Sequence, residues 1–388
     1  MLQLGITLKK ERFYALFPRI CQFATSSSIS VSVRQYRSPI LQWREIGVNC
    51  NVNPTGRVEW IDAAKGIGII FVVLGHIWLI GPGQKYINSF HMPLFFFLSG
   101  YIFSVGNYRN LRQFVCSKVN RILIPYAWFS IFTYIYWVMF ERAVSGNTVS
   151  PVTAFVNIFV CQGTDRHLPH NPALWFLPCL FIVEVMFFCI AKNIKREFVP
   201  IILLISSIAS NYITRWFPGN VFWSANVALT GLVFYGIGYV TQSTRRLLIS
   251  SSGWIAFIFV TATTIGLFLS LKNTYVIMAA CVYGDYFYFY LAAFLNITGI
   301  IAISVLLKKT NWLIYLGRNS LTIFALHFPI KRLVVGIHGV LLNIPAEQVK
   351  ASFLMSSIDT IVTIVVLLPI TCLIRRRFAF ILGATRGC

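Results

Sequence analysis

Ten times after Arg57 the sequence runs for about twenty residues with scarcely a charged side chain. A helical run of that length matches the ~30 Å hydrocarbon thickness of a bilayer. Inside hydrocarbon each backbone N–H and C=O has to be satisfied within the chain, so such runs form helices and bundle. A transmembrane β-barrel would need alternating segments of ~10 residues instead. The expected fold class is therefore all-α, a polytopic transmembrane helix bundle of about ten spans. Their cores read as 66–81, 90–106, 122–140, 173–191, 198–214, 221–241, 253–271, 286–307, 313–335 and 355–374. Only 11% of the 388 residues are charged, against ~25% in a soluble domain. That is too few to cover a globule.

The formal charge is +22, from 33 Lys and Arg against 11 Asp and Glu. In a soluble chain this would suggest a nucleic-acid partner. Here the cations sit at the ends of apolar runs and most fall on alternate connections. Cytoplasmic loops carry such an excess, so both termini are expected in the cytoplasm, with membrane lipid rather than nucleic acid as the partner. The nine cysteines show no paired spacing, so neither a structural metal nor a disulfide framework is expected.

Three regions follow. Residues 1–56 are basic and Ser-rich, with no apolar core and cleavage site of a secretory signal. They read as a poorly ordered extension or an over-extended start, with a transit peptide as the other composition match. Residues 57–380 hold the spans, and 381–388 form a short tail expected in the cytoplasm. The connection 141–172 is the longest one expected outside. It reads either as a solvated loop or as a cap over an outward-facing site.

Several side chains stand where apolar residues should be. An ionisable group in a membrane span costs ~2.5–3.5 kcal/mol or more and is a functional candidate by default. His76 lies well inside the first apolar run, after an unbroken apolar stretch; it reads as a general base or as a hydrogen-bonding group between helices. Lys65 precedes it by eleven residues, three helical turns, so the two share a helix face. Asp62 lies one turn before Lys65; the pair reads as a surface ion pair at a helix end or as charges oriented toward a ligand. Gly75 would let a neighbour approach His76. His91 is expected near the outer surface beside Pro93, read as a first-turn proline. Arg109, Arg112, Lys118 and Arg121 form a basic cluster, either a topology and lipid signal or a site for a phosphorylated ligand. Trp175 and Glu184 make a further group, and His327 lies inside the ninth run.

Five segments together carry a resemblance. WIDAAKGIGIIFVVLGH, FHMPLFFFLSGY, KVNRILIPY, PALWFL with Glu184 downstream, and SLTIFALHFPI occur in this order between Arg57 and Ile330. The chain resembles the acyltransferase 3 family of integral-membrane acyltransferases, nearest its fucose 4-O-acetylase-like and O-antigen O-acetylase branch. The resemblance implies a bacterial inner-membrane enzyme that moves an acyl group, usually acetyl from cytoplasmic acetyl-CoA, to a sugar hydroxyl of a polysaccharide or lipid-linked glycan. It implies His76 as base or acyl acceptor, with Lys65 and Asp62 setting its environment or contacting the donor. Lys118, Arg121 and Arg112 would hold the coenzyme A phosphates, with no metal. His91, Trp175, Glu184 and His327 would support the acceptor. Many relatives add a soluble hydrolase-like domain; this chain is expected to be of the stand-alone type. A proton-coupled small-solute transporter and transfer of another acyl group, such as succinyl, are the competing readings.

Overall fold

In the computed structural model the described residues are 58–78, 81–163, 167–216, 221–242, 251–341 and 344–383. The expected extension 1–56 and most of the tail, 384–388, lie outside them. Thirteen helices follow in order among the described residues: α1 Glu59–Ile77, α2 Pro82–Tyr101, α3 Leu111–Val144, α4 Pro151–Val160, α5 Pro172–Asn193, α6 Arg196–Trp216, α7 Phe222–Thr241, α8 Ser252–Lys272, α9 Tyr286–Leu306, α10 Asn311–Arg318, α11 Ser320–Leu341, α12 Ala346–Ala351 and α13 Phe353–Arg377. Nine are long and apolar enough to cross a membrane. α2 has twenty residues, enough to cross, but Gln84, Lys85, Asn88 and Ser89 make its first half polar.

α1 is the axis of the bundle, packed by α2, α9, α10, α11 and α13. Glu59 and Asp62 in its first turn complement the helix dipole. Close approach depends on absent side chains. A Cβ on Gly66 would collide with the Leu313 carbonyl, and one on Gly317 with that of Asp62, so α10 lies backbone to backbone on α1. Gly100 and Gly238 do the same for α2 and α7, meeting the carbonyls of Tyr235 and Phe97. Some polar side chains inside the bundle link helices. Ser89 Oγ and Ser270 Oγ lie 2.9 Å apart, and Asn296 Nδ2 donates to both, tying α2, α8 and α9. The outer helices α6 and α8 are only 22% buried, against 61% or more for α1, α5, α7, α9 and α11. Their exposed Leu204, Ile208, Phe257 and Phe268 therefore face lipid.

Three expectations need correction, and one left open is narrowed. The first span starts at Glu59 and ends at Ile77, so His76 is at a helix end although enclosed by neighbours. α2 begins at Pro82, after Gly81 at φ +100°, which puts Pro93 in the helix interior rather than the first turn. Without an N–H, Pro93 leaves the Ser89 carbonyl unpaired within the helix. The ninth run divides at Asn319 into α10 and α11. Arg318 there turns to Asp62, with Nε 3.0 Å from Oδ2, while the apolar face of α10 covers α1. The connection 141–172 is not a plain loop: α3 runs on to Val144, α4 follows, and Leu168 to Trp175 are buried.

Candidate active site

Each of three histidines is aimed by its own helix. His76 Nδ1 donates to the Val72 carbonyl at 2.7 Å, His91 Nδ1 to Ile87 at 2.8 Å and His327 Nδ1 to Phe324 at 2.6 Å. A carbonyl only accepts, so each Nδ1 carries the hydrogen. In the neutral ring Nε2 then presents a lone pair. The rings come together from α1, α2 and α11: His76 lies 5.0 Å from His327 and 6.2 Å from His91, centroid to centroid, with Phe328 5.4 Å away. Gly75 packs against Ile87 of α2, where a Cβ would come within 2.8 Å of the methyl. The small residue expected to admit a neighbour admits the helix that carries His91.

His76 and His91 line a cavity of about 850 Å³, walled also by Asn88, Trp175, Met278 and Lys331. Gly163, Pro172 and Ala173, the stretch Val276 to Ala280, and Ala346 and Lys350 of α12 also line it. Gly163 lies flat on the Trp175 indole, where a Cβ would come within 2.5 Å. The expected cap from 141–172 is thus part of this wall.

Three cations at the cavity, Lys331, Arg332 and Lys350, were missed in the sequence. Lys331 donates to the His76 carbonyl at 2.7 Å, one of the last-turn carbonyls that α1 leaves unpaired. Its ammonium sits 3.8 Å from the Phe328 ring centroid and acts on both His76 and His327. Arg332 stacks on the same ring at 4.8 Å, pairs with Glu141 and donates to the Pro169 carbonyl at 2.9 Å. The signal was present: Lys331 and Arg332 are consecutive cations inside an apolar run, one turn after His327. Outside the spans, His170 is fully buried beside Tyr134. Burial first, then the Arg332 charge, hold its imidazole down at about 3.

The remaining sequence candidates gather at the other end of α1. Lys118 Nζ lies 3.0 Å from Glu184 Oε2, and Arg121 and Lys65 also act on that carboxylate. A π-turn at Val119–Leu123 follows Lys118 and carries Arg121. Lys118 turns inward to Glu184, while Arg121 and Arg112 are exposed. Asp62 is engaged by Arg318. Glu184 therefore stands with the cations rather than with Trp175, about 13 Å further along α5. Lys65 and Asp62 do not touch His76, lying ~16 and ~21 Å along α1 from it.

Fold and site together define a multi-pass membrane protein with a histidine site enclosed by its helices. Residues 58–376 match the family described as Acyltransferase domain. That is most of the chain, so it belongs to this family of membrane acyltransferases. The chain is also 39% identical over 93 residues to Nodulation protein NolL of Sinorhizobium fredii, covering 20% of this chain and 24% of that relative. No solved structure matches it.

Proposed function

We propose that this acyltransferase is an O-acetyltransferase of a bacterial plasma membrane, taking acetyl from cytoplasmic acetyl-CoA and placing it on a sugar hydroxyl of a surface polysaccharide or lipid-linked glycan. The observation that carries the reading is the cluster of His76, His91 and His327 rings at a cavity that His76 and His91 line, each with Nδ1 tied back to its own helix. His76 has both neighbours and lines the cavity, so its Nε2 is the base. It takes the hydroxyl proton as the oxygen forms a bond to the thioester carbon. As the carbon–sulfur bond breaks, the imidazolium returns that proton to the thiolate, and the sum is an ester and a thiol. Acyl transfer by way of His76 Nε2 splits the same balance into two steps.

The donor fits the opposite end of α1. Lys118, Arg121, Arg112 and Lys65 supply cations for its phosphates, and Arg forks suit phosphate oxygens. Glu184 holds Lys118 in place. On this reading both termini are cytoplasmic, and the histidine cavity opens outward.

Acetyl on the surface glycans of cells expressing each variant, measured by mass spectrometry, tests the assignment. A general base is worth ~10²–10⁴-fold. His76→Ala and His76→Gln should both reach the membrane in normal amount and lose acetylation to that extent. Activity retained by His76→Gln, which keeps a polar group but takes up no proton near neutrality, would make His76 a structural residue.

A further inference from the structure

We propose that Gln84 and Asn88 recognise the acceptor, their carboxamides hydrogen-bonding hydroxyls of the sugar that neighbour the one acetylated. The inference rests on the acetyl-transfer reading of the histidine cavity.

Four polar side chains, Gln84, Lys85, Asn88 and Ser89, interrupt the first half of α2. The bundle accounts for two of them. Lys85 donates to the Asn273 carbonyl at 3.3 Å, and Ser89 donates to the Tyr86 carbonyl at 2.7 Å and lies 2.9 Å from Ser270 Oγ. It does not account for the other two. Gln84 is 7% exposed, and its Oε1 is sealed with no hydrogen-bond partner among the described residues. Asn88 makes no side-chain hydrogen bond to the described residues. Both line the cavity, and among its described wall residues they are the two that carry amides. Gln84, Asn88 and His91 fall within about 60° of one face of α2, with Asn88 about one turn and Gln84 about two turns outward of His91. The face that brings His91 to His76 therefore carries two amides along the way out. Asn88 Oδ1 also borders Gly75, 3.8 Å from where a Cβ would stand, beside His76 in the chain.

An amide sealed from water without a partner lowers stability. Leu or Ile at 84 and 88 would avoid that loss and match the second half of the helix, so the pair points to a ligand. Hydration of an empty cavity gives no reason for amides here, and a lipid tail offers an amide nothing. A sugar hydroxyl both donates and accepts, as an amide does. A site built to bond a hydroxyl rejects an analogue that lacks it, because its own buried groups are then left unpaired. The imidazole lone pairs set where a proton is removed. The amides set which sugar, in which orientation, presents the hydroxyl.

Acetyl transfer by the solubilised full-length protein tests this, with labelled acetyl-CoA as donor and graded amounts of surface-glycan extract from cells lacking the gene as acceptor. Gln84→Leu and Asn88→Leu should each raise the amount of extract that gives half-maximal transfer by about three- to tenfold, the loss of one hydrogen bond. The KM for acetyl-CoA should not change. Tm should hold or rise, because an unpartnered amide has been replaced by an apolar group. If Asn88→Leu does not accumulate, Asn88→Ala removes the amide without adding bulk and should give the same shift. An unchanged half-maximal amount in both variants overturns the inference. So does an equal rise in the KM for acetyl-CoA, or a lower maximal rate with the half-maximal amount unaltered. The parent reading fails separately: no transfer to the extract by the unaltered protein, or transfer that survives His76→Gln, overturns it, whereas unchanged half-maximal amounts beside a dead His76→Gln overturn only the roles of Gln84 and Asn88.

Discussion

His76, His91 and His327 each spend the Nδ1 hydrogen on a carbonyl of the preceding turn. One local bond therefore sets which nitrogen keeps its lone pair, before any ligand is present. His170 is handled differently. It lies outside the spans, in the wall segment between α4 and α5, and burial with the Arg332 charge holds it at about 3 against an ordinary 6.5. The folded state thus binds fewer protons than the unfolded state between those values. Stability from this residue is intact above about 6.5 and is lost as pH falls toward 3. Acidifying the purified protein from about pH 7 to about pH 5 should lower its Tm, and His170→Asn, which does not titrate, should lose less. Equal losses would show that His170 does not set the acid limit.

At the scale of elements, the spacing of apolar runs made most helices legible, because a membrane helix is written as length and hydropathy. His76, His91 and His327 could be picked out for the same reason: each is a titratable group within such a run or at its edge. What could not be read was where runs divide or start early. The ninth run breaks at Asn319, next to Arg318, whose partner Asp62 lies 256 positions away. α2 starts eight residues before its apolar core, since its polar half faces the cavity and the Ser89–Ser270–Asn296 contacts rather than lipid. Lys331 and Arg332 were passed over because cations near a run's end resemble a boundary. Packing makes its own prediction. Gly238→Val would press a side chain on the Phe97 carbonyl and the Tyr101 amide, parting α7 from the helix that carries His91. Overpacking of this kind costs ~1–3 kcal/mol. The variant should unfold at lower temperature and transfer less acetyl, while Gly253→Ala, with nothing within 4 Å, should change neither.

At the scale of the whole molecule, the cations of the basic end and the histidines of the cavity are separated along α1. If the basic end is cytoplasmic, reporter fusions at Gly146 and after the C-terminus should report opposite compartments, and matching reports would reverse the span count or the orientation.

The eleven residues between Lys65 and His76 make α1 a spacer about 16 Å long. A reaction laid out on such a spacer has a direction. Thioester energy made in the cytoplasm would appear as an ester beyond the permeability barrier, with no activated sugar exported and no coenzyme lost. Sealed inside-out vesicles should then consume added acetyl-CoA, and right-side-out vesicles should do so only after permeabilisation. Equal consumption by both would mean that donor and acceptor meet on one face.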